Sequence, residues 1–318
     1  MAAVNTAFDL LLVAIIVAAA AAACLGRGSF RAVVFQIVCG LSIALAWLRL
    51  DAIDVALAEA AIGSGLTGIL LLAALNSLRR HQTDTPPQPA GRGVTVIAAC
   101  ACLALSIAIA TVVLLLPGNA APNPDLAHRV EAALPLTGVD NPVTAVLLNL
   151  RGWDTLLESI VLLAALLGVW SLSRRSDDQQ QQAGPRHLTR PGGILMQIGT
   201  LLPPLALIVG IHLIWIGSSE PGGAFQGGTV LAAAWILTVL AGLTAPPRVD
   251  DPRVRAALLI GPVAFLLFAM LGITAGGWLI YPLAQAYWVT LCIEVLLGVS
   301  IATTLAMLVF GPPRQGAP

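Results

Sequence analysis

The chain has 318 residues, 58% hydrophobic and 10% charged, with a formal net charge of zero. A soluble domain is about a quarter charged, so this chain cannot cover a water-facing surface, and lipid must be its main solvent. The charge balance, in which every basic residue other than histidine is arginine, offers no footprint for nucleic acid.

A bilayer core about 30 Å thick needs about 20 apolar residues in a helix. On that criterion the chain is all-α and polytopic, with about nine spans: 5–25, 32–49, 53–76, 94–116, 154–173, 194–216, 225–245, 256–276 and 285–310. The first span ends in Ala22-Ala23-Cys24, faintly like a lipoprotein cleavage site. Asp9 stands where a positive leader would be, so a retained helix is expected. Residues 79–93 are a Pro-rich linker, and residues 174–193 a second linker with a Gln run. They divide the chain into modules of three, two and four helices, at 1–78, 94–175 and 192–313. The segment 117–153 holds a short amphipathic stretch, Leu126 to Leu134, and an apolar stretch, Pro142 to Leu150, too short to span. Cys24, Cys39, Cys100, Cys102 and Cys292 all fall in apolar runs and read as small buried hydrophobes.

The arginines give an independent test of the count. With the N-terminus outside and the C-terminus inside, thirteen of the sixteen arginines fall on the inner side; only Arg49, Arg129 and Arg151 fall outside. The positive-inside rule selects that orientation. Trp215, Tyr281, Tyr287 and Trp288 then lie near outer boundaries, as belt aromatics do.

Charged groups inside a span are costly and by default mark a function. Four are evident: Glu59, Glu158, His212 and Glu294. Each lies one or two turns inside the outer boundary, about 5–10 Å deep at the helical rise, which suggests a common polar layer. Glu59 is surrounded by small residues, among them Gly63, Ser64 and Gly65, that let another helix approach. A carboxyl sheltered there can carry a proton or hold a cation; the alternative is a helix-start acid favoured by the dipole. Asp54 suits an N-cap. Arg151, Asp154 and Glu158 share a face on a continuous helix; the bland reading is an interfacial cluster with Asp154 as N-cap and Arg151 neutralising it. His212 is either a relay or an ordinary hydrogen-bonded group. Glu294 is expected to be protonated or paired across helices.

The stretch Ser218-Ser-Glu220-Pro-Gly-Gly-Ala-Phe-Gln-Gly-Gly228 joins two spans. Pro221 and the glycines suit a tight turn, and a helix start at Phe225 offers free N–H groups to a carboxylate, Glu220 being one candidate. This stretch resembles the signature of the B subunit of Mrp-type multisubunit cation/proton antiporters, usually S-P-G-G-G-F-Q-G-G before an Ala-rich helix. Pro221, Gly222, Gly223, Phe225, Gln226, Gly227 and Gly228 match, and Leu231-Ala-Ala-Ala234 follows. Ala224 replaces a glycine. Ile216 and Ser218 stand where histidines commonly do, so no role of those histidines carries over. The similarity covers about 194–311.

Residues 54–63 are similar to the D-V-A-L-T-E-A-A-V-G pattern of the C-terminal part of the large Mrp A subunit and of small D subunits of membrane-bound hydrogenase complexes. Residues 143–155 with Glu158 are similar to V-T-A-V-L-L-D-F-R-G-F-D-T with its following Glu, an E-type pattern; Asn149 replaces an acid there. The resemblance implies an accessory subunit of a monovalent cation/proton antiport complex, with other antiporter subunits as partners, Na⁺ or another monovalent cation and H⁺ as cargo, and the bacterial inner membrane as location. It equally admits a structural subunit in the antiporter-like arm of a respiratory or hydrogenase-type complex. A stand-alone secondary transporter would want a central site between inverted repeats, and none is evident. A pure scaffold is the remaining rival. No phosphate-binding loop, nucleophile motif or metal constellation is found, so neither enzymatic activity nor a cofactor is expected.

Overall fold

The computed structural model describes residues 2–26, 28–81, 91–115, 124–173, 193–274 and 276–311. Among them the structure is helical throughout, with α1 (Ala2–Leu25), α2 (Ser29–Arg49), α3 (Ile53–Ala58), α4 (Thr67–His81), α5 (Arg92–Leu115), α6 (Pro124–Thr137), α7 (Pro142–Ala145), α8 (Gly152–Ser173), α9 (Ile194–Ile216), α10 (Ala224–Leu240), α11 (Pro252–Thr274) and α12 (Leu283–Phe310). Two π-helical segments, π1 (Glu59–Leu66) and π2 (Val146–Leu150), interrupt the α-helices. Among the described residues seven helices are long and apolar enough to cross a membrane, and Val96–Val112 and Ala224–Leu240 are shorter apolar helical stretches at two further expected spans. The chain is a multi-pass membrane protein. Most of both expected linkers, 82–90 and 174–192, lies outside the described residues.

Where span limits differ from expectation, backbone chemistry explains it. The span 225–245 stops at Leu240, because Gly242 takes a left-handed φ of 72° and ends the helix. The span 53–76 is not one regular helix. Within π1 the turn widens, and the Thr67 hydroxyl reaches back five residues to the Ile62 carbonyl at 2.8 Å. Such widened turns recur at functional sites. Leu126–Leu134 does lie in a helix, α6. Residues 142–150 form α7 and π2, and Arg151, at φ −129°, breaks the path into α8. The continuous helix through Arg151, Asp154 and Glu158 is therefore corrected.

α12 is the hub, packing on α10, α11 and α8, with lesser contacts to α9, α4 and α6. Ile293, Leu297, Ile301, Leu305 and Met307 along it are fully buried, beside Phe265 of α11 and Leu166 of α8. In lipid the hydrophobic effect does not draw helices together, so close approach at small residues must do so. That is what joins α9, α10 and α12. A Cβ on Gly210 would sit 2.8 Å from Leu231 and 3.1 Å from the Gly227 carbonyl. A Cβ on Gly228 would sit 3.0 Å from the Gly298 carbonyl and 3.1 Å from Ile301. The Trp153 and Trp278 rings stack at 4.6 Å and 5°, fastening the start of α8 to the turn before α12.

Candidate functional site

The glycine-rich loop between α9 and α10 is where distant parts of the chain meet. Gly223 carries φ 121°, a backbone shape that L side chains rarely adopt, and it turns the chain into α10. From the first third of the sequence comes Asp54. Its Oδ1 accepts the Gly222 N–H at 2.9 Å, and its carbonyl accepts from the Gln226 side chain at 3.4 Å. From the middle come Asn141 and Thr144. The Asn141 Nδ2 donates to the carbonyls of Gly217 (3.2 Å) and Glu220 (2.9 Å), and the Thr144 hydroxyl donates to that of Gly217. The Ser218 carbonyl accepts from the backbone N–H groups of Asp140 and Asn141. From α12 comes Glu294, only 3% exposed. Built Cβ atoms on Gly217 and Gly223 would lie 2.9 Å and 3.3 Å from its carboxylate oxygens. These two glycines thus leave the space that Glu294 fills.

Four expectations are corrected here. Asp54 is not an N-cap: Ala52 holds that position, and the Asp54 carboxylate is spent on a loop 168 residues away. Glu220 is not the acid at the start of α10: its side chain is exposed, and Glu294 lies against Gly223 instead. That helix starts at Ala224, one residue before the expected Phe225. Tyr281 is buried, so it is no belt aromatic, and burial pushes its hydroxyl up to about 12.

The other expected charged residues stand outside the set of contacts just described. Glu59 opens π1, half-buried. Its carboxylate lies over Gly63 of its own helix and 3.3 Å from where a Gly40 side chain would begin on α2. The small residues do shelter it against protein. Arg151 and Asp154 are exposed and form an ion pair; Asp154 lies in the first turn of α8 rather than capping it. Glu158 and His212 are exposed on the chain's outer surface, whereas α9 packs through Gly199, Pro203, Gly210 and Ile214. Among the described residues no group of three or more His, Cys, Asp or Glu suits a metal ion.

No functional role was expected of Asn141, Thr144, Ser218 or Thr290. The Asn141-Pro142 pair carried a signal: asparagine is a good N-cap and proline a good first helical residue, and Asn141 Oδ1 does accept the Val143 N–H at 2.8 Å. Thr290 stands one turn before Glu294, on its face.

Fold and junction together define a class: a polytopic helical protein in which a glycine-rich loop is clasped by acidic and amide side chains from remote helices. A chain of the Mrp complex from Dietzia sp. DQ12-45-1b shares the fold, with a TM-score of 0.76 and 22% identity over 97% of this chain and 35% of that one. A chain of the membrane-bound sulfane sulfur reductase, an archaeal respiratory membrane complex, aligns with a TM-score of 0.54 and 23% identity over 68% of this chain and 96% of that one. Residues 14–80 match the MbhD family model, that of the D subunit of MBH. Residues 194–311 match the MnhB model, described as a domain related to the MnhB subunit of Na⁺/H⁺ antiporter. The chain is thus similar to MbhD near its start and to the MnhB-related domain over residues 194–311. An uncharacterized protein of Methanocaldococcus jannaschii is 29% identical over 160 residues, 45% of this chain and 60% of that protein. The chain thus spans about a third of the Mrp-complex chain and three fifths of that curated relative.

Proposed function

We propose that this chain is an accessory membrane subunit of a multisubunit monovalent cation/proton antiporter complex, contributing to assembly and to the ion path. The observation that carries the reading is the MnhB-like stretch, residues 194–311, whose glycine-rich loop is clasped by Asp54 and lies against a buried acid, Glu294. Antiport needs a group that exchanges a proton for a cation, and sheltered carboxylates serve that chemistry. Glu294, Asp54 and Glu59 are the acids sheltered by this chain itself. Glu158, Arg151, Asp154 and His212 stand on its surface, where a neighbouring subunit would complete their surroundings. No lysine occurs, so a lysine-based proton channel has to come from a partner.

The division into three modules at 1–78, 94–175 and 192–313, the N-terminus-out orientation and the bacterial inner membrane belong to the same proposal. A second reading, a structural subunit in the antiporter-like arm of a respiratory or hydrogenase-type complex, is favoured by the MbhD likeness and the sulfane sulfur reductase likeness. Purification in mild detergent with identification of the co-purifying chains separates them. Antiporter subunits alone support the first reading; redox subunits support the second. A chain that purifies alone and still exchanges cations for protons in vesicles contradicts both.

A further inference from the structure

Three buried side-chain oxygens at the junction have no hydrogen-bond partner among the described residues: Glu294 Oε2, Thr290 Oγ1 and Ser218 Oγ. Their residues are 3%, 0% and 1% exposed. Thr290 is the informative one. Elsewhere in this bundle, hydroxyls close onto the backbone one turn back: Thr303 to Val299 and Thr304 to Ser300 at 2.8 Å, and Thr229 to Phe225 at 2.7 Å. Thr290 does not. One turn before it, Ala286 packs against Gly138; one turn after it, Glu294 packs against Gly217 and Gly223. Thr290 thus stands on α12 between those two contacts, fully buried.

The charge around Glu294 points the same way. Its charged neighbour is another acid, Asp54, and the two flank consecutive residues, Gly222 and Gly223. Arg49, Arg151 and Arg255 make their ion pairs elsewhere, with Asp9, Asp154 and Asp250. Burying a carboxylate without a compensating charge or hydrogen bond is costly. Two acids so close are relieved by a proton on one of them or by a cation between them, and the unspent hydroxyl oxygens favour the cation.

We propose that the junction holds one small, hard monovalent cation of sodium's kind, bound by the carboxylates of Glu294 and Asp54 and the hydroxyls of Ser218 and Thr290. An oxygen-only donor set suits a hard cation and not a soft metal. The proposal rests on the ion-path reading above and specifies where in this chain the ion sits.

The test uses the full chain, purified alone or with its partners, in mild detergent. Its melting temperature is compared in sodium chloride and choline chloride at equal ionic strength. A ligand that binds only the folded state stabilises it, so sodium is expected to raise the melting temperature by a few degrees. Glu294→Gln and the isosteric Thr290→Val abolish the rise; Asp250→Asn, in a surface ion pair, keeps it. If Glu294→Gln does not fold, Thr290→Val and Ser218→Ala give the answer. A wild-type chain indifferent to sodium, or a rise that survives these variants, overturns the site. Cation flux by the assembled complex keeps the two ideas distinct. Flux without a sodium-dependent shift removes the site and leaves the subunit reading; a shift in a chain that joins no partners does the reverse.

Discussion

The two ends of the chain solve the problem of living in lipid differently. In α12, 72% of the most apolar window is buried within the chain; in α1 the share is 11%. α1 packs mainly on α2, and the sides of α5 described are exposed throughout, with Ile97, Leu103, Leu105 and Ile109 each more than half exposed. The hydropathy of α1 matches or exceeds that of α12, so apolarity does not decide which helix is enclosed. Small residues do. α12 meets its neighbours at Gly228, Gly261 and Gly298, where backbones approach closely enough for many weak contacts to add up. α1 and α5 instead leave broad faces to lipid or to other chains.

This contrast can be broken most severely at Gly228. Gly228→Leu would drive a side chain into the Gly298 carbonyl and Ile301, and overpacking of this kind costs about 1–3 kcal/mol or more. Loss of a monodisperse peak in detergent is expected. Gly168→Leu on α8, with nothing within 4 Å of the built Cβ, should elute like the wild type.

Next in size is the clasp. Asp54→Ala strands a buried Gly222 N–H, at a cost of about 1–3 kcal/mol, and should lower the melting temperature by several degrees. Asp154→Ala removes only an exposed ion pair, worth about 0–1 kcal/mol. Equal losses from the two would erase the distinction between junction and surface. A smaller effect is expected from Trp153→Ala: losing the Trp278 stack costs about 0.5–1.5 kcal/mol beyond burial, seen as a modest fall in the same melting experiment.

The spans were legible because hydropathy runs and helix length obey one simple rule, and residues 194–216 illustrate it, with limits that agree at both ends. The sheltering of Glu59 was legible too, since Gly63 and its small neighbours announce close approach. π1 was not, because a widened turn has the same residues and period as a narrow one over so short a stretch. Nor was the clasp. The partners Asp54 and Gly222 are 168 residues apart, and no local pattern encodes which carboxylate reaches which N–H. A short polar side chain in an apolar run reads alike whether it closes on its own helix, as Thr304 does, or faces a junction, as Thr290 does.

Ion exchange by the assembled complex in proteoliposomes, with Glu294→Gln set against wild type, addresses the central claim most directly. Assembly should be preserved, because the substitution keeps side-chain volume, while cation-driven proton movement falls at least tenfold. Undiminished exchange in an intact complex would show that the buried acid is inert, leaving the junction a structural fastening and nothing more.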